Sequence, residues 1–323
     1  MRHFLFSTFL WIRRHPFCLF PLLFAFTVQG QNRLLVSQYM YNGLILNPAY
    51  AGSQQVFSLT GLYRQQWFNV QGAPAYQVIT CHTPMMSNKI GVGLLLSRES
   101  VGVHHNFGSF ASYSYKIKLS HGYVSMGLSG GVSINGSNYS NLNLFHSEDS
   151  HLLGYSQRTV PNFGVGTYYY NANVYAGISV PYILNSYQVN LLNPEQDTSI
   201  IKQVNEPRAF YVTGGFVIGD SGQVFKAYPS TLIRILHGAS LGVDLNLHAI
   251  FYDVVMSGIS YRVGSTASLL FQIILNDNVR VMYSYDLIAN RLATGSRGSH
   301  EIALSYRIKI KTLSRDPLCA SYF

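Results

Sequence analysis

From about Val56 to Ile310 the chain alternates apolar with small or polar side chains, one segment of some ten residues after another. This two-residue period limits what the chain can fold into more than any other feature, because successive residues of a strand point to opposite faces. Val124, Met126, Leu128, Val132 and Ile134 interleave with Tyr123, Ser125, Gly127, Ser129, Gly131 and Ser133. Leu241, Val243, Leu245, Leu247 and Ala249 interleave with Gly242, Asp244, Asn246 and His248. Near the end, Ile302, Leu304, Tyr306, Ile308 and Ile310 interleave with Glu301, Ala303, Ser305, Arg307 and Lys309. Each such segment has one greasy and one wet face. The pattern places strands near 56–69, 75–83, 90–99, 105–119, 122–135, 159–170 and 173–181. A second set lies near 206–219, 222–236, 240–251, 254–262, 265–275, 278–287 and 299–310, which makes about 14 in all.

The connections sort by parity. The long ones, 136–158, 182–205 and 288–298, follow odd-numbered strands, whereas Asn171-Ala172, Gly219-Asp220-Ser221 and Asn276-Asp277 are short and follow even-numbered ones. Long loops at one end and short turns at the other mark an outer-membrane barrel, with the turns in the periplasm. Charged residues make up only 11% of the chain, against about 25% in a soluble domain, so much of the surface faces something other than water. Closure pairs every backbone polar group, as hydrocarbon requires. The expected fold is therefore all-β: a transmembrane barrel of about 14 antiparallel strands spanning 56–310, its lumen lined by Ser, Gly, Asn and Tyr. A barrel this wide exceeds what a few wall side chains can fill. Tyr113, Tyr115, Tyr168, Tyr170, Tyr283 and Tyr285 fit either an interfacial girdle or cross-strand packing.

Residues 1–30 read as a secretory signal peptide: Arg2, Arg13 and Arg14 without an acidic residue, then the apolar run Phe17 to Val28, with cleavage expected before Gln31. The run is short for an uncleaved anchor, and Pro16 and Pro21 disfavour one. The formal charge of +9 includes those three arginines, so the rest of the chain carries +6. Its Lys and Arg are scattered, which gives no nucleic-acid stripe. Cys81 and Cys319 follow the leader; an exported compartment permits their pairing but two positions do not establish it. No Cys/His spacing suggests a metal, and no cofactor is expected.

The segment before the first strand does not alternate: Ser37-Gln38-Tyr39-Met40-Tyr41-Asn42, then Leu46-Asn47-Pro48-Ala49-Tyr50-Ala51-Gly52. Together with Leu62-Tyr63-Arg64-Gln65-Gln66-Trp67, Gly72-Ala73-Pro74 and the late Gly298-Ser299-His300-Glu301-Ile302, it closely resembles the PorP/SprF family of outer-membrane proteins associated with the type IX secretion system. The resemblance implies a non-enzymatic barrel that helps place secreted adhesins or enzymes on the cell surface. Its implied partners are outer-membrane lipid, a secreted client protein and periplasmic or outer-membrane secretion components.

Each motif piece also has a plainer reading. Asn47-Pro48 with Gly52 suits a turn. Leu62 to Trp67 suits the first strand, with Arg64 turned to the lumen. Ser299, His300 and Glu301 look like hydrolase chemistry, but consecutive strand residues face opposite sides and form no nucleophile relay. Asp244 and His248 share a face, yet lie about 13 Å apart along a strand. His104-His105 reads as a loop pair without a third ligand. Residues 31–55 are expected to plug the barrel or pack at its periplasmic mouth. Tyr39, Met40, Tyr41, Leu44, Ile45, Leu46 and Tyr50 are too apolar to leave in water, while Gln38, Asn42 and Asn47 suit a polar wall. Residues 311–323 form a tail beyond the last strand. An open solute pore is the first rival function, and an outer-membrane hydrolase the second.

Overall fold

The computed structural model describes residues 36–138, 155–184, 186–193, 198–205, 208–220, 222–236, 241–288 and 296–310. The expected leader, most of the loop at 136–158, the tail at 311–323 and Cys319 lie outside these residues. Sixteen strands form: β1 (Val56–Gln65), β2 (Ala75–Met85), β3 (Ile90–Val101), β4 (His104–Leu119), β5 (Gly122–Asn138), β6 (Tyr155–Tyr170), β7 (Val174–Val180), β8 (Ser186–Asn193) and β9 (Thr198–Asn205). There follow β10 (Ala209–Phe216), β11 (Phe225–Leu236), β12 (Gly242–Phe251), β13 (Val255–Arg262), β14 (Thr266–Ile274), β15 (Val279–Ile288) and β16 (Ser299–Lys309). Fourteen of them close into one antiparallel barrel in which each strand pairs with its neighbours in sequence, β7 pairs with β10, and β16 returns to β1. All fourteen coincide with the strands expected from the alternation.

The two faces are inverted relative to a water-soluble protein. Leu128, Leu247, Ile302 and Leu304 are more than half exposed on the outside, while Lys226, His248 and Glu301 are each 1% exposed inside. Most apolar members of the alternating pairs thus face outward and most polar members inward, as lipid outside and a polar lumen demand, although Val78, Leu232, Leu270 and Met282 are apolar and buried on the inner face. Tyr113, Tyr115 and Tyr283 are on the outer wall, but Tyr168 and Tyr170 are 4% and 1% exposed. The girdle reading is corrected for these two: they stack in the lumen with ring centroids 5.5 Å apart.

Three further expectations are corrected. The connection at 182–205 is not a simple loop, because β8 and β9 pair as a separate two-stranded sheet; Tyr187, Val189 and Leu191 alternate with Ser186, Gln188 and Asn190, a short strand signal. The first strand stops at Gln65 rather than running through Trp67, since Trp67 and Asn69 take φ of 50° and 73°, left-handed backbone that ends a strand. His104 and His105 open β4 rather than sitting in a loop.

Candidate functional site

Residues 36–54 lie against inward-facing side chains of the barrel wall. Three short 3₁₀ turns, Tyr39–Tyr41, Gly43–Ile45 and Pro48–Tyr50, shape the segment. Asn47 starts the last of them: its side-chain oxygen accepts from the Ala49 N–H at 2.9 Å, and Pro48 occupies the first turn position. There the missing proline N–H leaves nothing unsatisfied. Tyr39, Met40, Tyr41, Leu44, Leu46, Ala49 and Tyr50 are all buried.

Side chains of the wall satisfy the backbone of this segment strand by strand. Ser179 on β7 donates to the Leu46 carbonyl at 2.7 Å, Ser125 on β5 to that of Ala49 at 2.7 Å, and Ser114 on β4 to that of Ala51 at 2.8 Å. Lys116 donates to the Gly52 carbonyl at 2.6 Å. In the other direction, Asn42 donates to Thr80 at 2.7 Å and Asn47 to the Thr167 carbonyl at 2.9 Å. Asn246 on β12 donates to the Tyr39 hydroxyl at 2.6 Å.

Close approach requires missing side chains in the wall. A Cβ on Gly127 would lie 2.2 Å from the Ala49 nitrogen, one on Gly91 2.0 Å from the Ala51 carbonyl oxygen, and one on Gly166 2.2 Å from Asn47 Oδ1. Beside the segment at Leu44, Ile45 and Pro48, facing Leu95, Phe110 and Tyr182, lies a cavity of about 20 Å³.

The seam where β16 meets β1 brings together motif pieces from both ends of the chain. Arg64 lies opposite Glu301, and Gln65 opposite His300. Arg64 donates to Asp286 on β15 at 2.6 Å and to Glu301, and all three are buried. Glu301 in turn accepts the Ser37 N–H at 2.7 Å and the Gln38 N–H at 3.0 Å. Ser37 Oγ donates to Asp286 at 2.8 Å, and the Gln38 amide donates to Ser284 at 3.2 Å. The start of the luminal segment is therefore clamped to the seam by a charged cluster at the long-loop end.

Ser299 accepts the Trp67 N–H at 3.2 Å. Gly298 adopts φ of 78° and its carbonyl accepts the Phe68 N–H at 2.7 Å, which ties the two loops beside the seam. His300 points outward, 2.7 Å from the Tyr283 hydroxyl, while Ser299 and Glu301 point inward. Tyr63 also faces outward and its hydroxyl donates to Gln65. The superficially catalytic trio is thus divided between two faces, and its carboxylate is held by Arg64. Among the described residues no group of three or more His, Cys, Asp or Glu is placed to hold a metal ion. The wall glycines and the Asp286 partner were not singled out by sequence reasoning; their signal is the inward parity of their strands.

A closed fourteen-stranded antiparallel sheet with an apolar outer wall and a polar lumen defines a transmembrane β-barrel of the bacterial outer-membrane class. Residues 28–306 match the family model of the type IX secretion system membrane protein PorP/SprF, and the chain belongs to that family. No curated protein matches it. Among solved structures, it is similar to outer membrane protein Omp33 of Acinetobacter baumannii, at 7% identity and a TM-score of 0.46 over 78% of this chain and 98% of that one. It is also similar to a Pseudomonas aeruginosa FadL homologue, at 11% identity and a TM-score of 0.48 over 84% and 93%. A third is the CymD monoaromatic hydrocarbon channel, at 10% identity and a TM-score of 0.49 over 87% and 95%.

Proposed function

We propose that this barrel is a non-enzymatic anchor in the outer membrane, holding or presenting secreted proteins at the cell surface, with residues 36–54 as a plug that closes its lumen. One observation carries the reading: the wall groups that would line an open pore instead bond the luminal segment, from Glu301 and Asp286 at one end to Lys116 at the other. A filled barrel has an outer wall for lipid and two ends for proteins, but no solute path. The long-loop end, where β8 and β9 lie between β7 and β10, is assigned to the cell exterior, where it meets the secreted client; the short-turn end faces periplasmic secretion components. Residues 1–30 are assigned to a cleaved leader and 311–323 to a tail beyond the barrel. The positions of the motif, Ser37 to Met40, Asn47 to Tyr50, Gly52, Tyr63, Arg64, Trp67 and Gly298 to Glu301, serve as plug and clamp rather than as a reaction centre. The test is deletion of the gene. One surface protein or a small set should disappear from the cell surface while general secretion continues, and an unchanged surface proteome would contradict the anchor role.

A further inference from the structure

Most luminal cations in the described structure have a carboxylate. Arg64 has Asp286 and Glu301, Arg234 and Arg262 share Asp244, and Lys226 has Asp253. At the short-turn end two arginines break this pattern. Arg280 on β15 lies opposite Ser305 on β16, and Arg307 is two residues further along the same inward face, so the two side chains are diagonal neighbours within reach of each other. Arg307 is 9% exposed, and the Nε atoms of both arginines are buried without a hydrogen-bond partner. Among the described residues neither forms an ion pair; Asp277, in the adjoining turn, is exposed and bonds Lys309 at 2.5 Å. The other groups nearby add no negative charge. Ser58 lies opposite Arg307 and His82 opposite Ser58, His82 accepts the Gly52 N–H, and Lys116 is spent on Gly52 and Asn88. One buried and one half-buried guanidinium side by side, with no counter-charge among the described residues, are costly, and two planar forks side by side match the oxygens of a carboxylate or phosphate.

We infer that Arg280 and Arg307 form an oxyanion site at the short-turn mouth of the lumen, beneath the end of the luminal segment. It takes the carboxylate or phosphate group of a free anion. The site is independent of the anchor reading, and its test involves no client protein. The full-length barrel in detergent is unfolded thermally with increasing sodium phosphate, against sodium chloride at matched ionic strength. Phosphate should raise the midpoint saturably where chloride does not, and Arg280→Gln and Arg307→Gln should each abolish that increment. Without anion, Arg280→Gln should be at least as stable as the parent, which keeps the test open should Arg307→Gln fold poorly. Equal responses to chloride and phosphate, an undiminished phosphate response in Arg280→Gln, or no response to phosphate would overturn the site.

Discussion

Replacing Arg64 with Met isolates the seam clamp, because Met keeps much of the length and volume and removes only the charge and the fork. Asp286 and Glu301 would then remain at 1% exposure each, with no cation between them. Removing one partner of a buried pair costs about 3–5 kcal/mol, since the survivors stay desolvated and uncompensated. The Ser37 and Gln38 N–H groups still face Glu301 but offset only part of that charge. We expect Arg64→Met to lower unfolding stability by about 3–5 kcal/mol, read by urea titration in lipid bilayers. It should also expose the luminal segment to chymotrypsin at Tyr39 and Tyr41. The triple variant Arg64→Met, Asp286→Asn, Glu301→Gln removes every charge and keeps a carbonyl acceptor for Ser37 and Gln38. It should therefore recover most of the loss, coming within about 2 kcal/mol of the parent, because fully neutral replacement of a buried ionic cluster is often near neutral. A cost below about 1 kcal/mol for Arg64→Met, the level of an exposed pair, would refute the reasoning. So would a triple variant as unstable as the summed single variants, which would show that the charges act independently.

Two other predictions concern the wall glycines and the loop parity. Gly127→Val places a branched side chain where a single Cβ already meets the Ala49 nitrogen at 2.2 Å; it should destabilise the barrel by about 1–3 kcal/mol, the usual cost of overpacking, and free the segment to protease, whereas Gly61→Val, with nothing within 4 Å of its Cβ, should do neither. Cysteines at Asn141, Gln196 or Ala293, in a background lacking Cys81 and Cys319, should react with an impermeant reagent on intact cells while Asn173 and Asp220 do not; equal labelling at both ends would refute the assigned orientation.

The strands were legible because lipid and lumen make opposite demands on neighbouring residues, so every second position carries information. Leu304 and Ser305, or Leu247 and His248, reveal their faces without knowledge of any partner. That residues 37–52 contribute no wall strand was legible from the same logic inverted: Leu44-Ile45-Leu46 does not alternate, and Pro48 does not suit a paired strand. What remained hidden depends on closure. Arg64 and Glu301 meet across 237 residues because the first and last strands pair, and no local period specifies that register. Gly91 and Gly127 read as small luminal residues until a backbone passes within contact of them, and Gly166 until the Asn47 side chain does. Tyr168 and Tyr170 fit a girdle as well as a lumen because tyrosine suits both an aqueous interface and a polar interior. The β8–β9 sheet was passed over because its eight-residue strands fall inside a connection whose length alone suggested a loop.

Single-channel recording on the purified barrel in a planar bilayer tests the central claim most directly. With residues 36–54 bonded along the lumen, the full-length protein should insert without stable conductance steps, and a variant lacking residues 37–52, verified as folded by heat-modifiable migration, should conduct. Stable, open-channel conductance from the full-length protein, unchanged by that deletion, would contradict a plugged anchor and establish a pore.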